Sequence, residues 1–226
     1  MKYFLLANSS DEKIIGKKYP QCKGLPSKLG LTYEWFEQPN SMTKLSNSKF
    51  PYLEPELIFE LEEKAILTDV VRPSNIMAKG FLVNEKVKEL FGQFNLIEHR
   101  YYLATVFAKG VEHQYYWLHF KDNEEYLHYA DFSKSTFYLG NLARWKEENI
   151  EINSVKEFLQ IKNNIGFKTI NFDRLFLHSS FSKEPKDLFF INSLHKDYIV
   201  TENMQKGLQA LEITGIEIST PKFFTA

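Results

Sequence analysis

Three histidines, His113, His119 and His128, stand close together in the chain beside Asp122, Glu124, Glu125 and Asp131. Imidazoles among carboxylates are the raw material of metal-assisted or general acid–base hydrolysis. The spacing works against a shared ion. On a β-strand, period two puts His113 and His119 on one face but about 20 Å apart at roughly 3.3 Å per residue, and zinc ligands usually come in tighter pairs. Only His119 with His128 across a turn remains geometrically open, so a metal-dependent hydrolase is kept as the alternative function. The expected reading has no metal and no cofactor, with the imidazoles filling a half-exposed sheet beside Tyr115, Tyr116 and Trp117. Cys22 lies among Gln21, Lys23 and Gly24 with no histidine near it in the chain, which makes a poor nucleophile. No phosphate-binding glycine loop, His-Glu-x-x-His, Cys-x-x-Cys or Gly-x-Ser-x-Gly occurs.

Charge excludes another class. Across 226 residues, 28 basic and 29 acidic side chains give a net −1, and the balance holds in both halves, with 15 against 14 over residues 1–113 and 13 against 15 over 114–226. Such a chain lacks the basic field that neutralises a phosphate backbone, so nucleic acid is not the expected ligand. No apolar run approaches the ~20 residues that span a bilayer, so no membrane partner is expected. A single cysteine and a polar break soon after Met1 lead to the expectation of a cytoplasmic protein.

Aromatic residues are plentiful, with 20 Phe, 12 Tyr and 3 Trp. Core packing accounts for most of them. Tryptophan and tyrosine are also the preferred anchors of protein interfaces. Trp35 and Trp145, each set among polar or charged neighbours, are the first candidates for a docking surface. Phe36 and Tyr126 join them, as do Glu60 and Glu62 of the acidic stretch 54–63.

The elements that must position these residues are mostly strands. Apolar or β-rich runs predict strands at 2–7, 31–37, 57–59, 136–139, 167–170, 174–177 and 188–191, and a hairpin from Tyr101–Phe107 and Glu112–Phe120 around a Gly-containing loop. Ser154 is placed to cap a helix over 154–162. Residues 8–30, rich in Lys, Gly and Pro, read as an irregular loop. Strands outnumber helices without a βαβ rhythm, which predicts a single α+β domain, largely antiparallel, with a loop-rich segment over 1–50.

One pattern occurs twice. Gly80–Phe94 and Asp197–Leu211 align at a constant offset of 117 residues. In each, an aromatic-aliphatic-Val stub meets a helix-capping side chain, Asn84 or Thr201, followed at once by Glu85 or Glu202, where the helix dipole favours a carboxylate. Apolar residues then recur at helical spacing: Val87, Leu90, Phe91 and Phe94, against Met204, Leu208 and Leu211. The reading is two similar packing units, each a strand running into an amphipathic helix.

These segments, with Tyr101-Tyr102-Leu103, Gln114–Leu118, Leu188–Ile191 and Leu211–Glu217, resemble immunity proteins 11 and 43 of bacterial polymorphic-toxin systems over roughly residues 70–220. That family usually caps with serine, where Asn84 and Thr201 stand here. The resemblance implies a small, non-catalytic cytoplasmic protein whose partner is a cognate toxin domain. It transfers no functional residue. A self-associating module joined through sheet edges is the other alternative.

Overall fold

Residues 99–120, the most β-rich run of the sequence, form a long hairpin of β6 (His99–Ala108) and β7 (Val111–Phe120), paired from His99↔Phe120 to Ala108↔Val111. The turn is two residues, Lys109 (φ 53°) and Gly110 (φ 82°). Consecutive positive φ values give the primed turn whose twist matches the flanking strands. Both strands therefore run longer than their apolar runs suggest. The computed structural model describes residues 2–23, 33–141, 145–191, 194, 197–221 and 224–225. The fold is α+β and largely antiparallel, with two of its strand pairs parallel among the described residues. The chain packs as two compact units and passes between them four times, within β1 (Tyr3–Asn8), after Asp122, within α5 (Glu202–Ala210) and after Ile218.

The hairpin centres the larger unit, residues 7–122 and 205–218. Its sheet has the order β2-β3-β6-β7-β5-β4, adding β2 (Cys22–Lys23), β3 (Leu57–Leu61), β4 (Val70–Val71) and β5 (Gly80–Val83). One face builds the core from Leu57, Phe59, Tyr102, Ala104, Val106, Tyr115 and Trp117, joined by Trp35, Met42 and Leu45. On the other face, helix α3 (Glu85–Phe91) meets β5 and β7 with Val87, Leu90 and Phe91 buried.

The strand expected at 31–37 is instead a short helix, α2 (Tyr33–Glu37). A strand would send Trp35 and Phe36 to opposite faces, whereas a helix sets neighbours roughly 100° apart. Here both rings reach the same core, 5.2 Å apart and edge to face. The loop expected at 8–30 also holds structure where it is described. Asp11 caps the one-turn helix α1 (Glu12–Ile15), and β2 follows; residues 24–30 lie outside the described residues.

The smaller unit, residues 1–6, 123–204 and 219–226, holds two sheets. In the first, β1 pairs with β12 (Tyr198–Thr201), and β12 with β11 (Leu188–Phe189). The second has the order β14-β10-β8-β9: Phe224–Thr225, Thr169–Phe176, Thr136–Gly140 and Lys146–Ile150. The two strands expected at 167–170 and 174–177 are the single β10. Its register shifts between Phe172 and Arg174, so a bulge at Asp173 interrupts the alternation. Ser154 caps α4 (Val155–Asn164) as expected, its Oγ accepting from Glu157 N–H at 3.2 Å, and Phe158 packs against Phe132, which stacks on Phe137. No helix among the described residues is long and apolar enough to cross a membrane.

The repeated segments fold alike. Asn84 Oδ1 accepts from Val87 N–H at 3.1 Å, and Thr201 Oγ1 from Met204 N–H at 3.4 Å. Each cap also answers to an upstream aspartate that the sequence pattern does not reveal. The Asn84 N–H donates to the Asp69 carbonyl (2.9 Å) and its Nδ2 to the Asp69 carboxylate (2.8 Å). Likewise the Thr201 N–H donates to the Asp187 carbonyl (3.0 Å) and its hydroxyl to the Asp187 carboxylate (2.7 Å). Both aspartates open the short strand beside the stub, β4 or β11.

Candidate functional site

The histidines do not converge. His119 on β7 is fully buried between Phe50 and Tyr102, and its Nε2 donates to the Ser46 carbonyl at 2.9 Å. A carbonyl only accepts, so Nε2 carries the proton and Nδ1 is bare; it is buried with no partner among the described residues. Burial holds this imidazole below its usual pKa, partly offset by the Ser46 bond, so it is neutral at pH 7. His119 is thus a core residue held by the Ser46 carbonyl.

His128 lines a cavity of about 270 Å³ with Asp131, Ser133, Ser154, His178 and Ser180. There the Nδ1 of His178 lies 2.7 Å from Ser180 Oγ, in form a nucleophile–base contact. The same Nδ1 accepts from Ser180 N–H at 3.2 Å, so it caps the 3₁₀ turn over Ser179–Lys183. Among the described residues no three His, Cys, Asp or Glu side chains gather to hold a metal ion. Cys22 is buried, and burial together with Glu62 pushes its thiol up to about 12, which keeps it protonated and unreactive.

Of the six residues expected to meet a partner, three are buried. Trp35 is in the core, its Nε1 donating to Glu56 Oε2 at 3.0 Å. That corrects the expectation of an exposed ring: a tryptophan flanked by polar neighbours in sequence can still turn inward when its one donor finds a carboxylate. Tyr126 stacks on Tyr129 at 5.4 Å and meets Phe190 edge on, inside an aromatic cluster with Tyr3, Phe181 and Phe189. Glu60 is only 6% exposed, and both it and the half-buried Glu62 face Lys23 at 3.8 and 4.0 Å. Phe36 is half-buried against the core.

Trp145 is the exception, 74% exposed at the start of β9. Lys146 pairs with Gly140 on β8, and Gly140 with Thr169 on β10. Trp145 and Phe167, the latter 93% exposed, therefore extend beyond one row at the same end of this sheet. Lys146 lies over the Tyr138 ring and pairs with Asp173 at 2.5 Å, while Lys168 pairs with Glu147 at 3.1 Å. An open groove of about 790 Å³ runs alongside, lined by Thr136, Lys146, Asn149, Glu151, Asp173 and Arg174 among others. The arrangement offers aromatic area, fixed charges and a strand edge that no further described strand covers, the ingredients of a protein contact. Phe167, Lys146, Asp173 and Arg174 were not among the sequence candidates. In a strand spelled Lys-Glu-Glu-Asn-Ile only the last residue favours β-structure, too little to betray it.

A second open surface lies in the larger unit. Beyond α3, its sheet leaves Leu103 55% exposed, with Ile58, Thr105, Phe107 and Tyr116 half-buried around it. No family model matches the chain, and no curated protein matches it.

Proposed function

We propose that this protein neutralises a cognate toxin of a bacterial polymorphic-toxin system by binding it in the cytoplasm, without catalysis or cofactor. Two things support the reading: the resemblance over roughly residues 70–220 and the exposed sheet around Trp145. The carrying observation is Trp145 itself. A tryptophan this exposed costs water contact with apolar area and supplies, when covered, the kind of anchor that dominates interface energetics. With a net charge of −1, electrostatic steering has to come from local patches rather than from the whole molecule.

The test is co-expression with the protein encoded beside it. The neighbour alone should arrest growth, the pair should grow, and the two should purify as a stoichiometric complex. A neighbour that is harmless by itself overturns the reading. Stoichiometric zinc or iron in the purified protein would favour the metal-dependent hydrolase in its place.

A further inference from the structure

We propose that β9 engages its partner by strand addition, taking an extended, basic segment of another protein along its outer edge. The inference rests on the toxin-binding reading and names the mode and chemistry of that contact. Within the order β14-β10-β8-β9, β9 is terminal, and among the described residues it pairs on one side only, with β8. Its outer N–H and C=O groups present a ladder ready for a further strand, and Lys146, Glu147, Glu148 and Asn149 are all exposed.

Charge selects the occupant. Lys146 is neutralised by Asp173 and Glu147 by Lys168, both partners belonging to β10 or the residue leading into it. Glu148 of β9 and Glu151 just beyond it are exposed and make no ion pair among the described residues, so this strand presents two carboxylates to an incoming segment. A second copy of the chain would bring the same two carboxylates against themselves, whereas a strand carrying Lys or Arg would pair with them. Trp145 stands at one end of the edge as an apolar anchor. The groove of about 790 Å³ reaches from Lys146, Asn149 and Ile150 across to Thr136 of β8 and Asp173 and Arg174 of β10, so it lies over the sheet beside β9 and not along its outer edge. The competing reading of such an edge is defence, since charged residues on terminal strands also keep strangers from pairing.

The experiment is amide hydrogen exchange on the full chain, alone and with the product of the neighbouring gene, with affinities measured in parallel. Strand addition predicts that outward amides within 146–150 exchange at least tenfold more slowly in the complex. Trp145→Ala and the double variant Glu148→Lys/Glu151→Lys should each weaken binding by ten- to a hundredfold with an unchanged circular dichroism spectrum. A complex that forms while residues 146–150 stay unprotected overturns strand addition and leaves the toxin-binding reading standing. Charge-reversed protein that binds as well as the parent does the same. A chain that dimerises alone through β9 also overturns it, and a neighbour that does not bind at all overturns both readings.

Discussion

Asn84 and Thr201 hold equivalent places in two strand-to-helix units, and the aspartate of the first unit reaches a third element of the chain. Asp187 receives the Thr201 amide and hydroxyl. Asp69 receives the Asn84 amide and side chain and, through its second carboxylate oxygen, also the Thr214 N–H and hydroxyl, both at 2.8 Å. Its own N–H donates back to Thr214 Oγ1 at 3.0 Å, and Lys86 stands 3.8 Å away. The first aspartate thus ties β4, the cap of α3 and the segment before β13 (Ile216–Ser219) into one knot. In the first copy the local solution is built into a tertiary junction.

The hardest way to break the first copy is at Gly80, where the second copy has Asp197. A Cβ on Gly80 would stand 2.2 Å from the Leu118 carbonyl oxygen and 2.6 Å from the Trp117 ring. Since Gly80 pairs with His119 on β7, the added carbon would push β5 off its partner strand. We expect Gly80→Ala to cost roughly 3 kcal/mol and Asp197→Ala less than about 1 kcal/mol in urea unfolding. Equal costs at both positions would mean the two strand stubs are not differently confined.

The aspartates come next. Hydrogen bonds to a charged group are each worth about 1.5–3 kcal/mol when well formed, and partial exposure reduces this, so Asp69→Ala and Asp187→Ala should each cost on the order of 2 kcal/mol. The first should also loosen the 213–215 segment in hydrogen exchange, and the second should not. A pH signature accompanies Asp69. Burial alone would raise its pKa, but the bonds from Thr214 and Asn84 and the charge of Lys86 more than offset this and hold it below the ordinary carboxylate range. A carboxylate with a lowered folded pKa contributes stability that is complete above its unfolded value near 3.9 and is lost as pH falls through the folded value. His119 acts earlier on the way down. Its imidazole is harder to protonate folded than unfolded, so stability falls as pH drops below about 6.5. Asp69→Asn should flatten the stability curve below pH 4 and leave the decline from His119 in place.

The caps themselves rank third. Asn84→Ala should cost roughly 1.5 kcal/mol and Thr201→Ala about 1 kcal/mol, since the Thr201 cap bond is the longer, 3.4 against 3.1 Å. Asn84→Thr would sharpen the comparison by placing the second copy's cap in the first. It should recover most of the loss if the aspartate, rather than the amide, sets the strength of the junction.

What the sequence makes legible follows from range. The caps, both amphipathic helices, the α4 cap and the hairpin depend on residues within a turn or two of each other, and periodicity reads them directly. Asp69 and Asp187 act on caps 15 and 14 positions downstream, across a strand pair whose register no local pattern announces. Trp35 shows the same limit: its neighbours are polar, and the carboxylate that lets it turn inward is Glu56, 21 residues away. β9 escapes notice for the opposite reason, because an edge strand with charged side chains needs no apolar alternation. Local polarity reports composition and not burial: Trp35 and Trp145 both have polar neighbours in the chain, and only Trp145 faces solvent broadly.

The smallest expected effect probes how the two copies meet within the larger unit. Leu90 and Gly207 occupy equivalent positions at the 117-residue offset, and a Cβ on Gly207 would lie 3.4 Å from Leu90 Cδ1 and 3.1 Å from Phe94 Cζ. The large residue of one copy therefore rests against the small one of the other. Replacing a helical glycine with alanine normally gains up to about 1 kcal/mol through backbone entropy. Here the Phe94 ring must yield by a few tenths of an ångström, which consumes most of that gain, so Gly207→Ala should change stability by less than about 0.5 kcal/mol. Pairing it with Phe94→Leu removes the obstruction, and the helix gain should then emerge against the Phe94→Leu background in a double-mutant cycle. A cycle with no coupling between positions 94 and 207 would show that the ring and the glycine do not constrain each other.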